Sequence, residues 1–105
     1  MALRVGSRYA SEMNISSAPL SQPIGDVVES TFASLVLRGS GPIVVEFMSY
    51  GCSHCRTLEP VIEDVAEKLK SRETFFRVNV GLEQTLADRY GITGTPTFLM
   101  FSDSR

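Results

Sequence analysis

A chain of 105 residues with 43% hydrophobic and 21% charged side chains has the composition of one folded domain, which excludes a disordered or fibrous protein. Ten Lys and Arg against twelve Asp and Glu give a formal net charge of −2, without the basic excess of a nucleic-acid binder. Two cysteines are too few for a disulfide scaffold, and no apolar run approaches the ~20 residues that span a membrane as a helix.

In chain order, residues 1–21 hold Ser7, Ser11, Ser16, Ser17 and Ser21 and keep no sustained hydrophobic period. They read as an extension, loosely ordered or with one short helix around Arg8–Met13. Met1–Val5 runs straight into Gly6, Ser7 and Arg8, so no apolar stretch of signal-peptide length stands at the start. The expected compartment is the cytoplasm, or the periplasm or beyond for a mature form whose leader has been removed. The domain proper is expected over residues 22–105. Ile24–Val28 reads as a short strand. Ser30 is placed to cap a helix that aligns Phe32, Leu35 and Val36, and Gly39-Ser40-Gly41-Pro42 ends it. Ile43–Met48 is a nearly unbroken apolar run rich in β-branched residues, the pattern of a central strand covered on both faces.

The strongest period follows. Leu58, Val61, Ile62, Val65, Ala66 and Leu69 recur at helical spacing, while Glu59, Glu63, Asp64, Glu67, Lys68 and Lys70 read as the solvated face. Pro60 removes one backbone donor inside this helix and predicts a kink. Thr74–Val80 reads as a strand, Glu83–Tyr90 as a short helix closed by Gly91, and Thr97–Phe101 as a fourth strand. The alternation of strands and helices predicts an α/β fold.

Cys52-Ser53-His54-Cys55 stands between the apolar strand and the long helix. A cysteine at a helix N-terminus meets free N–H groups and the positive end of the macrodipole, which favour thiolate over thiol. A second cysteine one turn on can close a disulfide with it, so that one thiolate attacks a partner and the other resolves the mixed disulfide. Zinc is the competing chemistry, but it takes about four ligands, and only Cys52, His54 and Cys55 are on offer. Two inert core thiols are the other alternative.

These residues resemble the thioredoxin family, and the likeness extends over residues 22–105. Glu46 stands where thioredoxins bury an Asp, Pro60 matches the kink proline, and Gly94-Thr95-Pro96-Thr97 is similar to the cis-proline loop that faces the cysteines. Phe32, Arg77, Asn79, Tyr90 and Gly91 also fall at family spacing. The resemblance implies a central mixed sheet flanked by helices. It also implies a last strand and a C-terminal helix with no counterpart here, so either the sequence stops short of them, or an oligomer, a swapped contact or the N-terminal extension covers the open edge and face.

The same resemblance implies roles. Cys52 is the nucleophile, Cys55 the resolving thiol and His54 a stabiliser of the Cys52 thiolate, as in oxidase-type members. Glu46 relays the proton of Cys55, with Arg77 holding it partly ionised. Tyr50 and Gly51, at the position of the usual Trp, form a docking rim, and Thr95 with Pro96 a platform for an extended substrate. The expected activity is exchange between the Cys52–Cys55 pair and protein thiols or disulfides, more oxidising than in a typical thioredoxin. No organic cofactor and no metal are implied; the partners are protein substrates and a disulfide reductase or other electron donor. The rivals are a non-catalytic interaction module on the same fold, and a disulfide oxidase or isomerase acting on exported proteins.

Overall fold

A computed structural model of the chain describes residues 23–102. The extension, including the helix expected around Arg8–Met13, lies outside the described residues. Strand β1 (Ile24–Asp26) leads into helix α1 (Glu29–Phe32), which continues as a π-helical turn over Ala33–Leu37. Strand β2 (Ile43–Met48), helix α2 (Ser53–Leu69), strand β3 (Thr74–Asn79), helix α3 (Gln84–Arg89) and strand β4 (Thr97–Phe101) follow. The strands lie in the order β1-β3-β2-β4. β3 pairs in parallel with β1 and β2, while β4 runs antiparallel to β2, so the sheet is mixed. This is the α/β architecture with a mixed sheet flanked by helices.

Every residue of β2 is buried, as its unbroken apolar pattern requires of a strand paired on both edges and covered on both faces. Its side chains alternate between the two faces of the sheet. Val45 and Phe47 join Phe32, Val36, Val78, Leu86 and Phe101 on one side of the sheet. The rings of Phe32, Tyr90 and Phe101 lie 5.5–5.8 Å apart there, in tilted and edge-on geometries that aromatic quadrupoles favour. On the other side a smaller core joins Ile24, Ile62 and Ala66 with Phe75, which seats α2 over β1 and β3. A salt bridge of 2.9 Å from Arg89 to Glu29, and a 2.9 Å bond from the Glu29 N–H to the Glu83 carboxylate, tie α3 to α1.

Three sequence expectations need correction. Ser30 is not the cap of the first helix: Val28 occupies that position, and the Thr31 hydroxyl accepts from the Val28 N–H at 3.2 Å. Leu35 does not share the buried face of Phe32 and Val36. The π turn, closed by a 2.9 Å bond from the Arg38 N–H to the Ala33 carbonyl, widens the helix there, and Leu35 is left 38% exposed. In α2 only Ile62 and Ala66 of the apolar stripe are buried, because the row facing the sheet is Cys55, Glu59, Ile62 and Ala66. Leu58, Val61 and Val65 remain exposed along the flank of the helix, as do Phe98 and Met100 on β4. α2 itself runs on through Pro60.

Glycine is required where the chain leaves the π turn. A Cβ on Gly39 would come within 2.6 Å of the Ile43 side chain and 2.7 Å of the Leu35 carbonyl, and Gly41 turns with φ +76°. No helix of the described residues is long and apolar enough to cross a membrane.

The two sides of the first helix are therefore expected to respond differently to truncation. Phe32→Ala, at a residue 1% exposed, should cost about 3–5 kcal/mol in a urea unfolding experiment, whereas Leu35→Ala should cost less than about 1 kcal/mol. Equal losses would contradict the outward rotation of Leu35.

Candidate active site

The turn after β2 delivers Cys52 to the N-cap of α2, in extended backbone conformation, one residue before the first helical position. The side chain takes the place of an ordinary capping oxygen: its sulfur accepts the Cys55 N–H at 3.1 Å. An N–H donor aimed at the sulfur, at the positive end of a helix seventeen residues long, lowers the energy of a thiolate there. Cys52 and Cys55 are joined as a disulfide, with Cα atoms 5.2 Å apart. The two sulfurs differ in access. Cys52 is half-buried, while Cys55 is 0% exposed, so an incoming group reaches the first cysteine and not the second.

The loop before β4 closes over this pair. Thr95-Pro96 is a cis peptide, and the Thr95 carbonyl lies 3.4 Å from the Cys52 sulfur. The Thr97 hydroxyl donates to the Gly94 carbonyl at 2.6 Å and fixes the loop from within. Tyr50, 74% exposed, and Gly51 form the outer rim beside Cys52. The Arg56 guanidinium donates to the Tyr50 carbonyl at 2.7 Å and anchors that rim to α2. His54 stands exposed in the first turn of α2, between the cysteines.

Beneath the pair, Glu46 sits in the middle of β2, opposite Arg77 on β3 and Phe98 on β4. It is 2% exposed, the one buried charged side chain among the described residues. Its Oε1 accepts from the Arg77 Nε at 3.3 Å, while Oε2 is buried without a partner. Burial raises the Glu46 carboxyl above the ordinary range; Arg77 pulls it down by charge and hydrogen bond but does not offset the burial, and Glu59 adds a smaller upward push. Arg77 also binds the Glu59 carboxylate at 2.5 Å. Cys55, Glu59 and Arg77 stand in the wall of one open pocket of about 350 Å³, so the buried cysteine and the partner of Glu46 lie close together behind the same surface.

The structure thus groups Cys52, Cys55, Tyr50, Gly51, Thr95 and Pro96 around one helix end, with Glu46 in the strand below. Sequence reasoning placed Glu59 on the solvated face and gave Arg56 no part. The signal for Glu59 was present: it falls four residues after Cys55 and three before Ile62, on the row that faces the sheet. Among the described residues no group of three or more His, Cys, Asp and Glu side chains is arranged to hold a metal ion.

A disulfide with one reachable and one buried sulfur, capping a helix on an α/β sheet, is the apparatus of a thiol–disulfide oxidoreductase. Comparison with known proteins agrees. The thioredoxin family profile matches residues 23–105, and the chain belongs to the thioredoxin family. It is 38% identical over 81 residues to protein disulfide-isomerase 2-3 of Arabidopsis thaliana, covering 77% of this chain and 18% of that protein. It is 29% identical over 84 residues to a thioredoxin of Pseudomonas aeruginosa, covering 80% of this chain and 78% of that protein. With thioredoxin 1 of Synechococcus elongatus the identity is 32% over 79 residues, covering 75% and 74%.

The raised carboxyl of Glu46 fixes the sign of a pH effect. Below its ordinary value of about 4.5, Glu46 is neutral whether the chain is folded or not. As the pH rises towards the raised folded-state value, the unfolded chain ionises first and the folded state loses stability relative to it. Glu46→Gln removes this loss. The stability difference between the variant and the parent, from urea unfolding at pH 4 to 8, is expected to shift progressively towards the variant as the pH increases. A shift towards the parent would mean that Arg77 outweighs burial.

Proposed function

We propose that the protein exchanges its Cys52–Cys55 disulfide and dithiol with thiols and disulfides of protein substrates, and that its couple is more oxidising than that of a typical thioredoxin. The observation that carries this reading is the unequal access of the two sulfurs at the N-terminus of α2. In the reducing direction the Cys52 thiolate attacks a substrate disulfide, forming a mixed disulfide and releasing one substrate thiolate. Cys55 then gives its proton to the Glu46 carboxylate and attacks the Cys52 sulfur. The Cys52–Cys55 bond forms, the bond to the substrate breaks, and the second substrate thiolate leaves and is protonated. Two electrons pass from the cysteine pair to the substrate. In the oxidising direction the same steps run backwards.

The other site residues have roles in this scheme that follow from their positions. Tyr50 and Gly51 offer an exposed rim to a substrate segment, and Thr95 with Pro96 offers backbone for an extended chain to pair with. His54, exposed beside Cys52, stabilises the thiolate by charge when protonated, and stabilising the reduced form raises the reduction potential. A protein reductant or oxidant completes the cycle. The cysteine pair is itself the redox group, so the scheme calls for no organic cofactor.

The cysteine variants and the redox couple test this directly. Cys52→Ser should abolish reduction of a protein disulfide, and Cys55→Ser should accumulate a mixed disulfide with the substrate that mass spectrometry detects. The couple should equilibrate with glutathione above the thioredoxin value of about −270 mV, and His54→Pro should lower it. Turnover by Cys52→Ser would overturn the nucleophile assignment. A potential at or below about −270 mV, or one unmoved by His54→Pro, would overturn the oxidising tendency.

A further inference from the structure

The division of Arg77 between two carboxylates has a geometric consequence for the proton relay. A guanidinium grips a carboxylate best side-on, with its Nε and the neighbouring terminal nitrogen each donating to one oxygen. Glu46 receives only half of that grip. Nε donates to its Oε1 at 3.3 Å, while the terminal nitrogen Nη2 that would reach Oε2 is turned to Glu59, at 2.5 Å. The Glu46 Oε2 atom is accordingly left buried and unpartnered, which is where an added proton is least opposed.

We propose that Glu59 is a positioning residue: by drawing the terminal nitrogen of Arg77 to itself, it keeps Glu46 from being clamped as a permanent ion pair and leaves Oε2 free to take the proton of Cys55. The inference rests on the role proposed above for Glu46 and adds a residue to it. Glu59 touches no reacting atom and acts only through Arg77.

The surroundings leave little else to do this. From β3 the group facing Glu46 is Arg77, and from α2 the groups are Glu59 and the more remote Glu63, whose own carboxyl is raised chiefly by its neighbour Glu59. β4 sets the uncharged Phe98 opposite, and the strand carries no ionisable residue. α2 also contributes Cys55, which lines the pocket shared by Glu59 and Arg77. Glu59 is half-buried at the rim of that pocket, so replacing it opens no cavity in either core.

The test is the titration of Glu46 in the oxidised protein, followed by carboxyl carbon-13 NMR and assigned with Glu46→Gln. In Glu59→Gln, Arg77 is released to Glu46, and the Glu46 titration should move to lower pH. Glu59→Asp, which keeps the charge, should restore most of the parent titration, and Glu63→Gln should move it less than Glu59→Gln does. A titration that stays in place in Glu59→Gln, or moves upward, overturns the proposal. So does an equal shift in Glu63→Gln, which would mean that general negative charge and not the division of Arg77 sets Glu46. The pH profile of mixed-disulfide resolution then separates the two readings. If Glu46 is the base, the acid limb of that profile moves down with the titration, and resolution below it quickens several-fold. A titration that moves while the limb stays fixed supports the positioning by Glu59 and overturns the part given to Glu46 in exchange.

Discussion

The Arg77 guanidinium joins the central sheet to the helix that carries the cysteines. It reaches from β3 to Glu46 on β2 and to Glu59 on α2, and so spans three elements with one charged group. A carboxylate buried in the middle of β2, on the face covered by α2, would without such a partner carry the full desolvation penalty of its charge. With a complete partner it would be an inert ion pair. The incomplete pairing seen here lies between these limits, as the proton relay proposed for Glu46 requires. The interaction is weak evidence for stability, since burying charges offsets much of what their attraction returns. Its importance is chemical.

The helix end imposes a second constraint. A capping side chain that accepts a backbone N–H is a common way to satisfy a free donor at a helix N-terminus. Here a sulfur does it, so the same contact that begins α2 also favours the charged form of the Cys52 side chain. Cys55, one turn further along, is carried by helical geometry onto the row that faces the sheet and is thereby shielded from solvent. In the proposed exchange, attack and resolution fall to different atoms because of burial, without any difference in their covalent chemistry.

Much of this was legible in the residues. The bounds of β2 and β4 follow the apolar runs, and α2 follows the longest periodic segment. The errors have physical causes. Propensity and spacing assume a regular period, and the π turn at Ala33–Leu37 breaks it, so Leu35 left the buried face. In α2 the apolar period marked a stripe that only partly overlaps the face that meets the sheet, at Ile62 and Ala66. Leu58, Val61 and Val65 satisfy the pattern yet stay exposed, whereas the polar Glu59 turns inward because Arg77 waits there. Hydrophobic periodicity ranks faces by apolarity; it carries no information about a cation on another strand.

The sequence by itself determined the order of elements, the cysteine pair at a helix start and the placement of a carboxylate inside an apolar strand. Each of these is a local matter of spacing and residue type, fixed within a few residues of the chain. Only the tertiary structure decided which oxygen of Glu46 is paired, that Arg77 is shared, and that one sulfur is reachable while the other is not. Those facts depend on β2, β3 and α2 meeting at one point from distant parts of the chain. The separation of Glu46, Glu59 and Arg77 along the sequence leaves no local pattern for their contact, and only the parallel register of β2 on β3 with α2 above brings them together.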